Sequence, residues 1–155
     1  MKRLLWLAAL CGMAAFLGPG ASAKGKSDRD VFKSLIDEYW ATWSTGDVDK
    51  VGAYYDQSPE AVYYDVSPLK YAGWSEYKEG VKHIFDEANS VKIGANDDLK
   101  ATRRGAIAWT SETFHMSEAL KTGKTVELQG RHTAIWEKRA GKWIIVHEHV
   151  SIPMN

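Results

Sequence analysis

His132 and Glu148 are the side chains in this sequence best suited to moving a proton. They lie in two long runs, residues 125–138 and 142–152, which the Ala140-Gly141 turn would fold into neighbouring antiparallel strands. Brought together in an aromatic cavity, with Asp65 and Tyr63 entering from a shorter run at 61–65, a carboxylate and an imidazole suit acid–base work. Burial raises a carboxylic acid's pKa, and a neighbouring charge carries an imidazole's across neutrality. The chemistry would be proton abstraction, water elimination or addition on a small, mostly apolar molecule. The plain alternative is a His–Glu pair that only satisfies itself in a wet cavity.

His147 and His149 form a second constellation, two imidazoles on one strand face with Ser151 after them. Two such groups can share a metal ion, but spacing fixes no third ligand, and His115 or Glu112 would have to arrive by strand pairing. The reading is therefore no metal and no cofactor. Tyr39, Trp43, Tyr55, Tyr63, Trp74, Tyr77, Trp109 and Trp136 make an aromatic set large for the chain. Rings with a polar tip suit pocket walls that are part apolar and part wet. Trp40 and Trp143 are read as ordinary core or interface residues, and Arg131 with Glu112 as an outer-face pair. The sequence holds no phosphate-cradling glycine loop, no G-x-S-x-G elbow and no H-E-x-x-H helix.

The elements that must position these residues divide into helices first and strands afterwards. Ser27 is an N-cap with Asp28 and Asp30 in the first turn, and Val31, Phe32, Leu35, Ile36, Tyr39, Trp40 and Trp43 recur at helical spacing up to a stop at Gly46. A short second helix runs from Asp47 to Tyr55, and a third from Trp74 to about Ala88. From Val91 the pattern turns to strands, with runs at 98–103, 106–118, 125–138 and 142–152 separated by short glycine turns. That order predicts one α+β domain, its helices covering one face of a single antiparallel sheet. Strands this long bend, so the sheet is expected to curve strongly into a cone with a hollow at its open end.

Of the 155 residues, 45% are hydrophobic and 26% charged, with 20 basic against 20 acidic side chains, a globular and not a disordered composition. No basic excess exists to neutralise phosphates, which removes nucleic acid as a partner. Residues 1–23 read as a signal peptide. Lys2 and Arg3 precede an apolar stretch too short to span a membrane, and Ala21-Ser22-Ala23 completes an A-x-A ending. The expectation is a periplasmic or secreted domain over 24–155 with no membrane contact after cleavage. Cys11, the only cysteine, lies in the leader, so the mature chain has neither disulfide nor thiolate chemistry.

Residues 130–153, GRHTAIWEKRAGKWIIVHEHVSIP, resemble the closing hairpin of the nuclear transport factor 2-like superfamily, in its SnoaL-like branch. The segment is also similar to the association (hub) domain of calcium/calmodulin-dependent kinase II. Ser44-Thr45-Gly46-Asp47, Gly73 and Ile107-Ala108-Trp109 extend the likeness over most of the chain. The resemblance implies a cystatin-like cone, a pocket between helices and concave sheet, and homodimerisation through the sheet's outer face. It implies no single activity. Matched residue by residue, Ala134 and Val150 stand where two arginines of the hub pocket stand, and Ser111 roughly where a third does, so acid capture of the hub kind is not expected. The same matching turns His132, Ala134, Trp136, Glu148, Val150, Trp109, Ser111 and Thr113 inward. The candidate site is then Asp65, His132 and Glu148 for catalysis, with Tyr39, Trp43, Tyr55, Tyr63, Tyr77, Trp109, Ser111, Thr113 and Trp136 lining the pocket. Three functions follow: binding of a small organic molecule; cofactor-free isomerase, dehydratase or hydrolase chemistry; or a homo-oligomerisation module with a vestigial pocket.

Overall fold

A computed structural model describes residues 25–154; the signal peptide expected at 1–23 lies outside the described residues. Helix α1 (Asp28–Trp43) begins where Ser27 Oγ accepts the Asp30 N–H at 3.2 Å, and buries Phe32, Ile36, Tyr39, Trp40 and Trp43 along one face. Asp47 caps a short α2 (Val48–Val51) by accepting the Lys50 N–H, and a 3-10 turn (Gly52–Tyr54) follows. Two short strands, β1 (Val62–Tyr64) and β2 (Tyr71–Ala72), lead into α3 (Gly73–Glu87). Among the described residues no helix is long and apolar enough to cross a membrane.

Five strands complete the chain: β3 (Ala88–Ala95), β4 (Lys100–Arg104), β5 (Ile107–Leu120), β6 (Thr125–Arg139) and β7 (Lys142–Ser151). The sheet runs β2-β1-β7-β6-β5-β3, and β4 pairs the other half of β5. Its long strands form the expected antiparallel meander, but β1 lies parallel to β7, so the sheet is mixed. The reason is topological: β1 precedes α3 and joins the sheet beside β7, between it and the edge strand β2, with no hairpin linking β1 to β7 to dictate its direction. Residues 88–95 show little β patterning of their own, and become a strand by pairing with the distal half of β5.

One long strand therefore has two successive partners on the same edge. At the break between them Asp98 accepts both the backbone N–H (2.9 Å) and the hydroxyl (2.8 Å) of Thr113, and Asn96 donates to that hydroxyl at 2.8 Å. Helix α1 packs against both β3 and β4. An extra residue on β7 shifts its register against β6 between Ile135 and Trp136, so that Ile145 and Glu148, three positions apart, both point inward. The core gathers between α1, α3 and this inner face, and is dominated by aromatic rings.

Candidate functional site

Directly opposed residues of an antiparallel pair share a face. On the inner face Glu112 of β5 lies opposite His132 of β6, and His132 opposite Val150 of β7, with Glu148 one pair along. All of Glu112, His132 and Glu148 are buried. His132 Nδ1 meets Glu112 Oε1 at 2.6 Å, and its Nε2 meets Glu148 Oε2 at 3.1 Å. Both acceptors are carboxylates, so both ring nitrogens donate and the ring is an imidazolium. Burial pulls its pKa down, but the hydrogen bonds and charges of Glu112 and Glu148 outweigh that and hold it at about 9.

Glu148 is the hub of a second layer of bonds. Its carboxylate accepts the hydroxyls of Tyr39 of α1 (2.8 Å), of Tyr55 just after the 3-10 turn (2.8 and 2.9 Å) and of Tyr77 of α3 (2.5 Å). Burial alone would raise this carboxyl; the imidazolium and the tyrosine hydroxyls keep it below the ordinary carboxylate range. The same burial, with the charge of Glu148, pushes all three phenols well above theirs. Tyr39 stacks on His132 (5.5 Å, 15°) and Trp40 meets it edge-on at 5.0 Å, so the cation is closed in by aromatic surface as well. Glu112 Oε2 is buried and unpartnered among the described residues.

Beside this cluster lies a cavity of about 190 Å³. Helix α1 supplies Tyr39, Trp40 and Trp43, and α3 supplies Tyr77, Val81, Ile84 and Phe85. The sheet contributes Phe114, Met116, Leu128 and Val150 together with Val91 and Ile93 of β3, while Val66 and Ile84, both half-exposed, rim the mouth. Gly130 lies opposite Phe114, and a Cβ there would come within 2.4 Å of its ring, so this glycine lets Phe114 lie flat across β6 as cavity wall. Asp65, just after β1, is the one ionisable carboxyl on the wall. One of its oxygens accepts the Val66 N–H at 2.7 Å, and burial pushes its pKa up to about 6. The indole N–H groups of Trp40 and Trp43 have no partner among the described residues.

The residues expected to form the site are thus distributed over four places. Tyr39, Trp43, Tyr77 and Asp65 line the cavity; His132, Glu148 and Tyr55 form the cluster behind it. Tyr63 and Trp136 sit deeper, the Tyr63 hydroxyl donating to the Asp56 carbonyl and the Trp136 indole to Thr110 Oγ1. Trp109, Ser111 and Thr113 are on the opposite face of β5, with Trp109 38% exposed. Because opposed residues share a face, inward His132, Ala134 and Trp136 require inward Glu112, Thr110 and Ala108. The parity assigned to β5 from the resemblance is therefore off by one residue. Glu112 moves with it, from an outer-face partner of Arg131 to the buried partner of His132. Trp40, read as plain core, lines the cavity. His147 and His149 face outward with the Tyr64 ring between them at 5.4 and 5.8 Å, and His147 Nδ1 lies 2.8 Å from the Val62 carbonyl.

A model of the SnoaL-like domain matches residues 32–155. Among solved structures, a candidate calcium/calmodulin-dependent protein kinase II association domain from Xanthomonas campestris is 24% identical, with a TM-score of 0.69 over 81% of this chain and 86% of its own. A nuclear transport factor 2-like protein from Salmonella enterica is 20% identical, with a TM-score of 0.74 over 82% and 92%. A candidate scytalone dehydratase from Novosphingobium aromaticivorans is 11% identical, with a TM-score of 0.69 over 82% and 88%. Likeness at these identities speaks for the fold alone. No curated protein matches the sequence.

Proposed function

We propose that this chain, which belongs to the SnoaL-like domain family, is an exported domain that binds a small organic molecule in the cavity between α1, α3 and the sheet. The observation that carries the reading is the contrast of a hollow of about 190 Å³ with apolar and aromatic walls against an otherwise tightly filled aromatic core. A void this large is costly to a fold unless something fills it. The basic, apolar and A-x-A segments of the leader support export, and Ile107, Trp109 and Ile135, exposed together on the convex face, support self-association there. Sedimentation of the wild type against Trp109→Glu checks the latter; a monomeric wild type would sink it.

The same geometry weighs against His132 and Glu148 as an acid–base pair. Glu148 already accepts four donors, both nitrogens of His132 are engaged, and neither residue is among the cavity's lining. Asp65 alone combines a place on the wall with an oxygen not committed to the backbone, and any proton transfer in the cavity falls to it. Titration of the full chain with 2-phenylethanol, followed by tryptophan fluorescence from Trp40 and Trp43, tests the binding reading. We expect saturable quenching that Leu128→Trp, which fills the cavity from β6, abolishes. Quenching that survives Leu128→Trp would place binding elsewhere, and no quenching at all would leave the hollow vestigial.

A further inference from the structure

We infer that the cavity selects an organic cation: a primary or secondary amine carrying a body about the size of one aromatic ring, its ammonium group seated on Asp65. This inference rests on the binding reading above and adds the ligand's charge and size. Three observations carry it. The first is size. A cavity of about 150 Å³ suffices for a benzene ring, so about 190 Å³ takes one ring with a short substituent.

The second is charge. Among the described residues no Lys, Arg or His lines the cavity, and Asp65 is the only ionisable carboxyl there. Behind the wall Glu148 and His132 act on Asp65 in opposite directions, Glu148 the more strongly, so the field they add there is negative. The positions matched to arginines in the hub domain are Ala134 and Val150 here, and both are buried. An acid would meet no cationic side chain on the wall to offset its charge.

The third is the state of Asp65 itself. Asp65 accepts the Val66 N–H on one oxygen, and the Tyr77 hydroxyl beside it donates to Glu148, so no charged donor pairs with the Asp65 carboxyl among the described residues. Its carboxyl, pushed up to about 6 by burial, is ionised at neutral pH and poorly solvated. An ammonium donor supplies a charged partner through a charge-assisted hydrogen bond, and the aromatic residues Trp40, Trp43, Tyr77 and Phe85 line the same cavity.

The test compares three one-ring probes on the full chain at neutral pH: phenethylamine, the neutral 2-phenylethanol and the anionic phenylacetate. Binding is read by tryptophan fluorescence and by ligand-observed NMR. Phenethylamine should bind at least about tenfold more tightly than 2-phenylethanol, with phenylacetate weakest. In Asp65→Asn, shown to be folded by its far-UV circular dichroism and cooperative unfolding, the amine's advantage over the alcohol should vanish. Equal affinities for amine and alcohol in the wild type would overturn the cation preference and leave the pocket reading standing; this comparison needs no variant. An amine preference that persists in Asp65→Asn would overturn the assignment to Asp65. Failure of all three probes to bind would remove both readings together.

Discussion

The Glu148 cluster and the cavity share walls, since Tyr39 and Tyr77 belong to both. Their polar chemistry is nonetheless opposite. In the cluster nearly every donor and acceptor is committed, and three tyrosine hydroxyls tie α1, the residue after the 3-10 turn and α3 to β7. On the cavity wall the polar groups are few, and Asp65 has an oxygen unused. A saturated polar network rigidifies a fold, whereas an under-used carboxylate beside a hollow is what a ligand can complete. The difference teaches that the most eye-catching residues of a sequence can end in a saturated network, while a quieter neighbour keeps an oxygen that the backbone leaves free.

The largest expected effect comes from emptying the hub. Glu148→Ala strands a buried imidazolium and three phenols, and we expect a loss of about 3–5 kcal/mol of stability in urea denaturation, as for a buried ion pair stripped of one partner. A loss below about 1 kcal/mol would break the assignment of the cluster to scaffolding.

Next comes the pH dependence. His132 has a folded pKa of about 9 against an ordinary 6.5, raised by its two carboxylate partners against the opposing effect of burial. Its contribution is thus complete below the unfolded value of 6.5 and is lost as pH climbs through 9, on the order of 3 kcal/mol in all. Glu148, held below its ordinary range, works in the other direction and loses its contribution as the solution turns acid. Denaturation midpoints should therefore decline on the alkaline side, and His132→Gln should flatten that decline while lowering the curve as a whole. An alkaline limb unchanged in His132→Gln would show that another group titrates.

The smallest effect sharpens the contrast from the cavity side. Asp65 has its pKa raised by burial to about 6, so the unfolded chain ionises first and stability falls as pH rises from the ordinary carboxylate range through 6. Asp65→Asn should then raise stability at neutral pH, by up to about 3 kcal/mol, and give no gain at acid pH where the carboxyl is neutral. A neutral-pH loss instead would mean that Asp65 is a structural partner like Glu148.

Much of the fold was legible because the signals were local. The Ser27 cap, the i, i+3, i+4 spacing of the α1 aromatics and the glycine turns between β5, β6 and β7 are each set by a few neighbouring residues. What escaped depended on residues far apart in the chain. Strand β3 exists through its pairing with β5. Gly80, out of place in a helix on propensity alone, sits where a Cβ would fall 2.4 Å from the Tyr71 hydroxyl, so packing against β2 accounts for it. In the site, His132 and Glu148 were correctly brought to one place, but the inward row of β5 was misread. Its two alternating sets are Ile107, Trp109, Ser111, Thr113 and Ala108, Thr110, Glu112, Phe114, each holding apolar and polar members. Hydrophobicity does not separate them; pairing with β6 does.

The sequence by itself determined an α+β chain of helices followed by a glycine-punctuated meander, a kinship visible in its last hairpin, and the presence of an aromatic-rich, acid-bearing interior. The tertiary structure alone decided which carboxylates became scaffold and which faced the hollow. Burial, strand parity and hydrogen-bond saturation are properties of pairs and not of residues, so Glu112, Glu148 and Asp65 acquire their different fates only when the sheet closes over α1.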